Sequence, residues 1–294
     1  MSDSKEIRIS GFTIVRNATI LDYPFAESVR SLLNLCDEVI INCGDSDDDT
    51  YEQCQRLESE ANGRIKIIRS HWEREKQSGG FQLKHQSDRA LQECRGKWCF
   101  YLQADEVLHE SDIPRVMAAI KKADERPEID GIVFDYLHFY GNFSFVMSGR
   151  NWYRREVRAF KQGRGIEAFR DAQGFRKHGN RLLAIRSGAR VFHYGYVRTS
   201  ESLQKKSTQM ALWWGEAPPT EASAHELRKH VGMKRFLLTH PKVMQERVSQ
   251  NAKYPDPSKG TRKWDWNEIK NAITLVWESV IPYRIGEFRN YDIA

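Results

Sequence analysis

The sequence predicts an α/β fold in which helices flank a mostly parallel sheet, followed by a helical C-terminal extension. Three observations lead to this prediction. Segments typical of buried strands alternate with amphipathic helical segments over roughly the first 120 residues, which is the pattern of parallel strands joined by crossover helices. Longer strand segments after residue 130 predict a mixed or antiparallel extension of the sheet. Helical segments then predominate from residue 201 onward.

The first half contains four short apolar runs, each of which ends at a polar corner: IRISGFTIVRN at 7–17, DEVIINC at 37–43, RIKIIRS at 64–70 and KWCFYLQ at 97–103. Helical segments alternate with these strands and carry apolar residues on one face. They cover 25–37, a segment from Thr50, 81–94 and 111–124. In such a fold the carboxyl ends of the strands gather at one sheet edge, where ligands bind.

The second half begins with strand segments at 131–142, 181–187 and 189–195. Three helices are predicted after them, at 201–214, 225–238 and 266–280, separated by loops that contain Pro218-Pro219 and YPDPSKG at 254–260. ALWWGEAPP at 211–219 and the last helix could close the acceptor side, form a homodimer contact or rest on a membrane surface beside nearby Lys and Arg, with core packing as the default for their aromatic residues.

Composition limits the class of protein. With 40% hydrophobic and 29% charged residues, the chain is globular, and no apolar run approaches the roughly 18 residues that span a bilayer. The first ten residues lack an apolar signal core, so we expect a cytoplasmic protein, peripheral at most on the inner membrane face. Five cysteines without a CxxC spacing are expected to be reduced core residues. The net charge of +6 is scattered and accompanied by no nucleic-acid-binding motif, so no nucleic-acid partner is expected.

One strand end is acidic. In WCFYLQADEVL at 98–108 an apolar run leads into Gln103, Asp105 and Glu106. Adjacent carboxylates at the end of an apolar run repel each other and lose hydration, so a group that compensates their charge is expected at this corner.

The order and spacing of these corners resemble glycosyltransferase family 2, whose members are inverting enzymes of the GT-A (Rossmann-like) fold. GDSDDDT at 44–50 resembles the acidic turn of that family, and the segment 80–98 resembles the elements before its metal motif. LQADE at 102–106 resembles the metal motif known as DXD, with Gln103 in place of the first aspartate. In the acidic turn, Cys43 and Gly44 stand where the family often has aspartates.

The resemblance covers about the first 200 residues and implies a domain over 1–200. Within it, a donor-nucleotide half spans about 1–125 and an acceptor half about 126–200, which leaves 201–294 as the helical extension. It implies a metal-dependent, hexosyltransferase-like enzyme that moves a sugar from a nucleoside-diphosphate donor, expected to be a UDP-sugar, to a hydroxyl of a glycan or lipid-linked acceptor. Bound Mn²⁺ or Mg²⁺ would stabilise the charge that builds on the departing diphosphate.

The resemblance also assigns roles to residues. Asp105 is the first metal ligand and His193 a further candidate, whereas Glu106 could bind the metal, orient a water or pair with an arginine. The general base is expected among Glu156, Glu167 and Asp171, with Asp171 favoured. The residues implied in donor or substrate binding are Thr13, Arg16, Asn17, Gly44, Asp45, Gln103 and Arg155.

Two other functions would leave different features in the sequence or in the behaviour of the protein. A nucleotidyltransferase on a similar sheet would carry a Gly-rich basic loop after the first strand, whereas FTIVRNATILDYP at 12–24 contains no glycine. A non-catalytic nucleotide- or nucleic-acid-binding module would bind without transferring a group, and salt-dependent retention on nucleic acid would reveal it.

Overall fold

The computed structural model describes residues 8–73, 79–217, 227–281, 284 and 289–294. Strands and helices alternate in the first half, as predicted. The strands are β1 (Ile9–Val15), β2 (Glu38–Gly44), β3 (Ile65–Ser70) and β4 (Trp98–Tyr101), with a short β5 (Glu106–Leu108) after β4. The helices are α1 (Phe25–Leu33), α2 (Thr50–Glu60), α3 (Phe81–Gln92) and α4 (Ile113–Asp124).

The first four strands pair in parallel in the order β3-β2-β1-β4. Val15 lies opposite Cys43, and Phe12 lies opposite Tyr101, so β1, β2 and β4 end at the same edge of the sheet. The core strands β1, β2 and β4 are buried on both faces, which is why each appears in sequence as a continuous apolar run. The polar corners that follow them are therefore brought together, as expected.

The second half extends the sheet with mixed pairing. Its strands are β6 (Gly131–Tyr140), β7 (Asn142–Met147), β8 (Arg155–Lys161) and β11 (Leu182–Tyr196), while β9 (Ile166–Phe169) and β10 (Gly174–Lys177) form a separate hairpin. β8 pairs antiparallel with both β4 and β6, and β11 pairs parallel with β6 and antiparallel with β5. The predicted fold class, an α/β fold with a helix-flanked central sheet, is confirmed. The two strand segments predicted at 181–187 and 189–195 form one strand with a register shift.

The C-terminal part contains α5 (Ser200–Trp214), α6 (Gln245–Ser249) and α7 (Trp266–Val280), together with β12 (Met233–Arg235) and β13 (Tyr291–Ile293). β12 pairs with β7, so the helix predicted over 225–238 is wrong in the residues that the structure describes. Gly232 explains the difference, because its φ of +87° is left-handed and cannot continue a right-handed helix. Pro218, Pro219 and the start of the predicted helix lie outside the described residues.

The core lies on both faces of the sheet. One face packs against α1, α2 and α4, and the other packs against α3, the β9-β10 hairpin and the end of α5. All five cysteines are buried and free, as the sequence predicts. Among the described residues, none of the helices combines the length and the apolar character that crossing a bilayer requires.

Candidate active site

A cleft of about 560 Å³ opens at the edge where β1 and β4 end, and β11 and α5 complete its walls. It brings together five of the residues predicted for the site, which are Arg16, Gln103, Asp105, Asp171 and His193. Gln173, Gly195 and Lys206 also line it, together with the aromatic side chains Tyr23, Trp72, Tyr153, Tyr196, Trp213 and Trp214. The parallel topology accounts for Arg16, Gln103 and Asp105, which follow β1 and β4, whereas Asp171 lies between β9 and β10 and His193 lies within β11.

The corners after β1 and β2 form one hydrogen-bonded unit. The Arg16 guanidinium donates to the backbone carbonyl of Asp45. The Asn17 amide donates to Asp47 Oδ2 at 3.2 Å, and its Oδ1 accepts from the Asp47 backbone N–H at 2.8 Å. Asn17 has a φ of +55°, and Gly44 packs directly under the Trp72 indole. Arg16 thus lies on the cleft wall, while Asn17, Gly44 and Asp45 shape the turns behind it.

Asp105 is held from two sides by cations. Its Oδ2 accepts from Lys206 Nζ at 2.9 Å and from Arg198 Nη2 at 3.1 Å, and the residue is only 5% exposed. Burial by itself would raise the pKa of this carboxyl, but the charge of Lys206 and its neighbours outweighs burial and holds the pKa well below its usual range. Asp105 is therefore ionised at neutral pH.

His193 has a defined tautomer. Its Nδ1 lies 2.8 Å from Nδ1 of His138, whose Nε2 lies 2.7 Å from the Tyr153 carbonyl oxygen. A carbonyl only accepts, so a neutral His138 donates from Nε2 and accepts at Nδ1. Burial lowers the pKa of His193 to about 4 and that of His138 to about 3, so both rings are neutral at pH 7. His193 then donates from Nδ1 and keeps a lone pair on Nε2.

That lone pair faces Asp105. His193 Nε2 lies 3.7 Å from Asp105 Oδ1, so two acceptors face each other without a proton between them. A Cβ on Gly195 would lie 2.5 Å from His193 Nε2 and 3.3 Å from Asp105 Oδ2, so only glycine leaves this space open. One carboxylate and one imidazole suit Mn²⁺ or Mg²⁺ when phosphate oxygens and water supply the other ligands.

These two residues fit a divalent cation only as part of a shared coordination shell. Within the described residues, no group of three or more His, Cys, Asp or Glu side chains is placed to hold a metal. Tight binding by the protein alone is therefore not expected, and a ligand with phosphate oxygens would have to complete the shell.

Glu106 does not point into the cleft. It is fully buried and accepts from Arg158 Nη2 at 2.7 Å, Arg158 Nε at 2.8 Å and the Tyr136 hydroxyl at 2.8 Å. Its Oε2 also accepts from the Gln103 backbone N–H at 3.1 Å. Of the three roles considered for Glu106, the structure supports the ion pair with an arginine. This pair supports the loop that presents Asp105.

Of the candidate bases, the structure brings Asp171 into the cleft. It stands between Arg170 and Ala172, whose φ values of +56° and +59° are left-handed, a strained arrangement that is common at functional sites. Burial raises the pKa of Asp171. A carboxyl with a raised pKa in a cleft is suited to accept a proton.

The other two acids lie elsewhere. Glu167 pairs with Lys84 at 2.7 Å in a separate surface depression. Glu156 lies behind the cleft wall, where it accepts from Gln173 at 2.9 Å and from Asn290 at 3.2 Å. Burial raises the pKa of Glu156 to about 7.

Two predicted substrate-binding residues also lie outside the cleft lining. Thr13 is fully buried within β1, and Arg155 pairs with Asp135 at 2.6 Å. The sequence reasoning did not find Lys206 or Arg198, although Arg198 follows His193 by five residues and Lys206 lies on the helix that begins just after it. The closeness of these two residues to the candidate metal ligand His193 in the sequence is the one feature that could have indicated them.

At the edge of the sheet, the fold brings together charged groups that suit a phosphate-bearing ligand. Residues 24–169, about half of the chain, match the sequence model of the family described as Glycosyl transferase family 2. The chain therefore belongs to this family of glycosyltransferase enzymes, as the resemblance implied. No curated protein matches the chain.

Solved structures show a weaker likeness. TarS 1-349 from S. aureus shares 15% identity over 73% of this chain and 67% of its own, with a TM-score of 0.42. TarS 1-349 in complex with UDP-GlcNAc shares 20% identity over 46% of this chain and 36% of its own, with a TM-score of 0.35. The mannosyltransferase PcManGT from Pyrobaculum calidifontis, in complex with GDP-Man and Mn²⁺, shares 16% identity over 44% of this chain and 35% of its own, with a TM-score of 0.34.

The chain thus spans about a third of the length of the two nucleotide-sugar complexes. All three TM-scores are below 0.5, so the family assignment rests on the sequence match and on the arrangement of strands and helices in this chain.

Proposed function

We propose that the protein is an inverting, cation-assisted glycosyltransferase that moves a sugar from a nucleoside-diphosphate donor, a UDP-sugar, to an acceptor hydroxyl in the cleft. The observation that carries the proposal is the pair of facing acceptors, Asp105 Oδ1 and His193 Nε2, beside two cations in a family 2 glycosyltransferase. A bound divalent cation would be held by these two residues and would neutralise charge on the diphosphate.

The chain itself supplies further positive charge for the leaving group. Lys206 and Arg16 line the cleft, and Arg198 lies directly behind Asp105. In the proposed reaction the bond between the anomeric carbon and the diphosphate breaks, so negative charge grows on the phosphate oxygens. Fixed cations at that position stabilise the transition state more than the ground state.

Asp171 is the proposed general base. The acceptor oxygen attacks the anomeric carbon from the face opposite the diphosphate, and its proton passes to the Asp171 carboxylate. The sugar becomes bonded to the acceptor oxygen with inverted configuration at the anomeric carbon, and the nucleoside diphosphate is released as the leaving group. A base of this kind typically contributes about 10²–10⁴-fold to the rate.

The acceptor is proposed to be a glycan or a lipid-linked glycan. Trp72, Tyr153 and Tyr196 line the cleft, and aromatic faces of this kind can pack on the apolar faces of sugar rings.

The division into a domain over 1–200 and an extension over 201–294 also stays a proposal. Since Lys206 belongs to the extension and lines the cleft, a chain ended at residue 200 is expected to lose donor binding.

Thermal-shift measurements with UDP- and GDP-sugars, each with Mn²⁺ and with EDTA, test donor and cation together. A ligand that binds the folded state raises its apparent stability, so a shift is expected for one donor and expected to be larger with Mn²⁺. Asp105→Asn should abolish the part of the thermal shift that depends on Mn²⁺. Glu167→Gln, which changes a carboxyl outside the cleft, should leave that part unchanged. An Asp105→Asn protein that keeps the full Mn²⁺ effect would refute the cation site.

Product analysis tests the reaction. Release of nucleoside diphosphate together with a glycosylated acceptor is expected, whereas release of pyrophosphate would indicate a nucleotidyltransferase instead. Asp171→Asn should keep donor binding in the thermal shift while lowering turnover by about 10²–10⁴-fold. Undiminished turnover in that variant would exclude Asp171 as the base, and donor binding without any turnover in the wild type would favour a non-catalytic module.

A further inference from the structure

Helix α7 packs onto the protein with its polar face inward. Glu268 and Asn271 are its buried residues. The Glu268 carboxylate lies 2.6 Å from the His230 ring and accepts from the Val231 backbone N–H at 2.7 Å. Asn271 Oδ1 accepts from the Arg150 backbone N–H at 3.2 Å. A surface helix of a globular protein ordinarily does the reverse and buries its apolar face.

The opposite face of α7 is apolar and exposed. Its residues recur at the three- and four-residue spacing of one helix face, and their exposed fractions range from 38% to 78%. We call this set the α7 stripe: Trp266, Ile269, Ile273, Val276, Trp277 and Val280. Trp264 and Ile281, at 59% and 39% exposed, extend it at its two ends. A contiguous apolar surface of this kind marks a site of interaction.

The surroundings of the stripe are basic. Lys259, Arg262, Lys263 and Lys270 are all exposed on or just before α7. The Arg262 guanidinium lies 5.4 Å from the centre of the Trp264 ring, and the Lys270 ammonium lies 5.3 Å from that of Trp266.

Among the described residues, the acidic groups of α7 and its N-cap are engaged by other partners. Asp265 caps the helix and pairs with Arg228 at 2.9 Å, while Glu278 pairs with Arg284 at 2.7 Å. The described part of the face that carries the stripe therefore has a positive charge, which complements an anionic surface.

The charge of the stripe and its tryptophans favour a bilayer over a second copy of the chain. Two copies packed through this face would bring like-charged lysines together, which is unfavourable. Tryptophan beside Lys and Arg is typical of helices that lie in the interfacial layer of a bilayer.

We propose that the α7 stripe inserts into the interfacial layer of an anionic lipid bilayer, with the surrounding Lys and Arg residues facing the lipid headgroups. This binding requires neither the donor nor the cation, so it stands or falls separately from the proposed transfer reaction. It would hold the enzyme at a membrane surface.

Sedimentation of the full chain with vesicles tests the proposal. Binding is expected to vesicles that contain about one third phosphatidylglycerol, and much weaker binding to vesicles of phosphatidylcholine alone. The variant Trp266→Ser/Ile273→Ser/Val276→Ser should weaken binding to anionic vesicles by roughly tenfold or more, because its side chains no longer enter the apolar layer. Ile293→Ser is the matched control, since it removes an exposed apolar side chain from β13 and should bind as the wild type does.

A second variant tests the charge. Lys270→Glu should weaken vesicle binding several-fold and leave the helix folded, as circular dichroism would check. The proposal is overturned if the wild type does not bind anionic vesicles, or if the triple variant binds them as tightly as the wild type. A concentration-dependent dimer that the triple variant abolishes, without vesicle binding by the wild type, would instead identify a second copy as the occupant.

Discussion

Replacing Glu156 by glutamine is expected to stabilise the protein at alkaline pH and to leave its stability unchanged at acidic pH. Glu156 is 1% exposed on β8, where its carboxyl accepts hydrogen bonds from the Gln173 and Asn290 amides. Neither amide carries a charge that would compensate an ionised carboxylate. Glutamine has nearly the same shape and can still accept such a bond, but it cannot ionise.

The size of the effect follows from the pKa of Glu156, which burial raises from 4.5 to about 7. Below pH 4.5 the carboxyl is protonated in both the folded and the unfolded chain, so its ionisation does not lower the free energy of unfolding. As pH rises from 4.5 to 7, the unfolded chain releases this proton while the folded chain keeps it, so stability falls. Each pKa unit corresponds to about 1.4 kcal/mol, so the full cost above pH 7 is about 3 kcal/mol.

Urea unfolding of the wild type and of Glu156→Gln at pH 5 and pH 8 measures this difference. The other titrating groups are the same in both proteins, so their contributions cancel in the difference between the two free energies of unfolding. The advantage of the variant over the wild type should grow from about 0.8 kcal/mol at pH 5 to about 3.3 kcal/mol at pH 8, a difference of about 2.5 kcal/mol. A gain of the same size at both pH values would refute the reasoning. Transfer activity gives a second result, because the variant stays active if Asp171 is the base and is inactive if Glu156 is.

Two further predictions concern the walls of the cleft. Glu106→Gln should lower the free energy of unfolding in urea by about 3–5 kcal/mol, because it leaves the buried Arg158 without a carboxylate partner; a loss below about 1 kcal/mol, the range of exposed pairs, would contradict this. Gly195→Ala should reduce the thermal shift that Mn²⁺ produces with the donor, because its methyl group would occupy the space beside His193 Nε2. An unchanged Mn²⁺ shift in that variant would place the cation elsewhere.

The sequence predicted the first half of the fold well because its strands are buried on both faces. Such strands appear as apolar runs between amphipathic helices, and parallel topology then determines which corners meet. The prediction failed at 225–238, where a left-handed glycine and the free edge of β7 decide the local structure. A helical pattern in sequence carries no information about an unpaired strand edge elsewhere in the fold.

Within the candidate site, the sequence located the acidic corner but did not distinguish its two acids. The two acids stand at a turn that the Glu106 backbone N–H closes by donating to the Gln103 carbonyl at 3.0 Å, and the sequence does not show which side chain such a turn directs into the cleft. The structure places Asp105 in the cleft and Glu106 against Arg158. The contact between Lys206 and Asp105 spans 101 residues, and no pattern within α5 distinguishes Lys206 from its neighbour Lys205.

The pairing of Asp105 has a consequence for how a cation and a donor would bind. Lys206 and Arg198 share Asp105 Oδ2, so a dication at Oδ1 would lie close to two positive charges and bind weakly alone. A diphosphate would offset that repulsion and supply oxygen ligands, so the cation should bind more tightly when a nucleoside diphosphate is present. Because linkage is reciprocal, the cation must then strengthen diphosphate binding by the same factor.

Calorimetric titration of Mn²⁺ with and without UDP, and of UDP with and without Mn²⁺, measures both factors. Equal Mn²⁺ affinity in the two cases would show that Lys206 and Arg198 do not set the charge balance of the cleft.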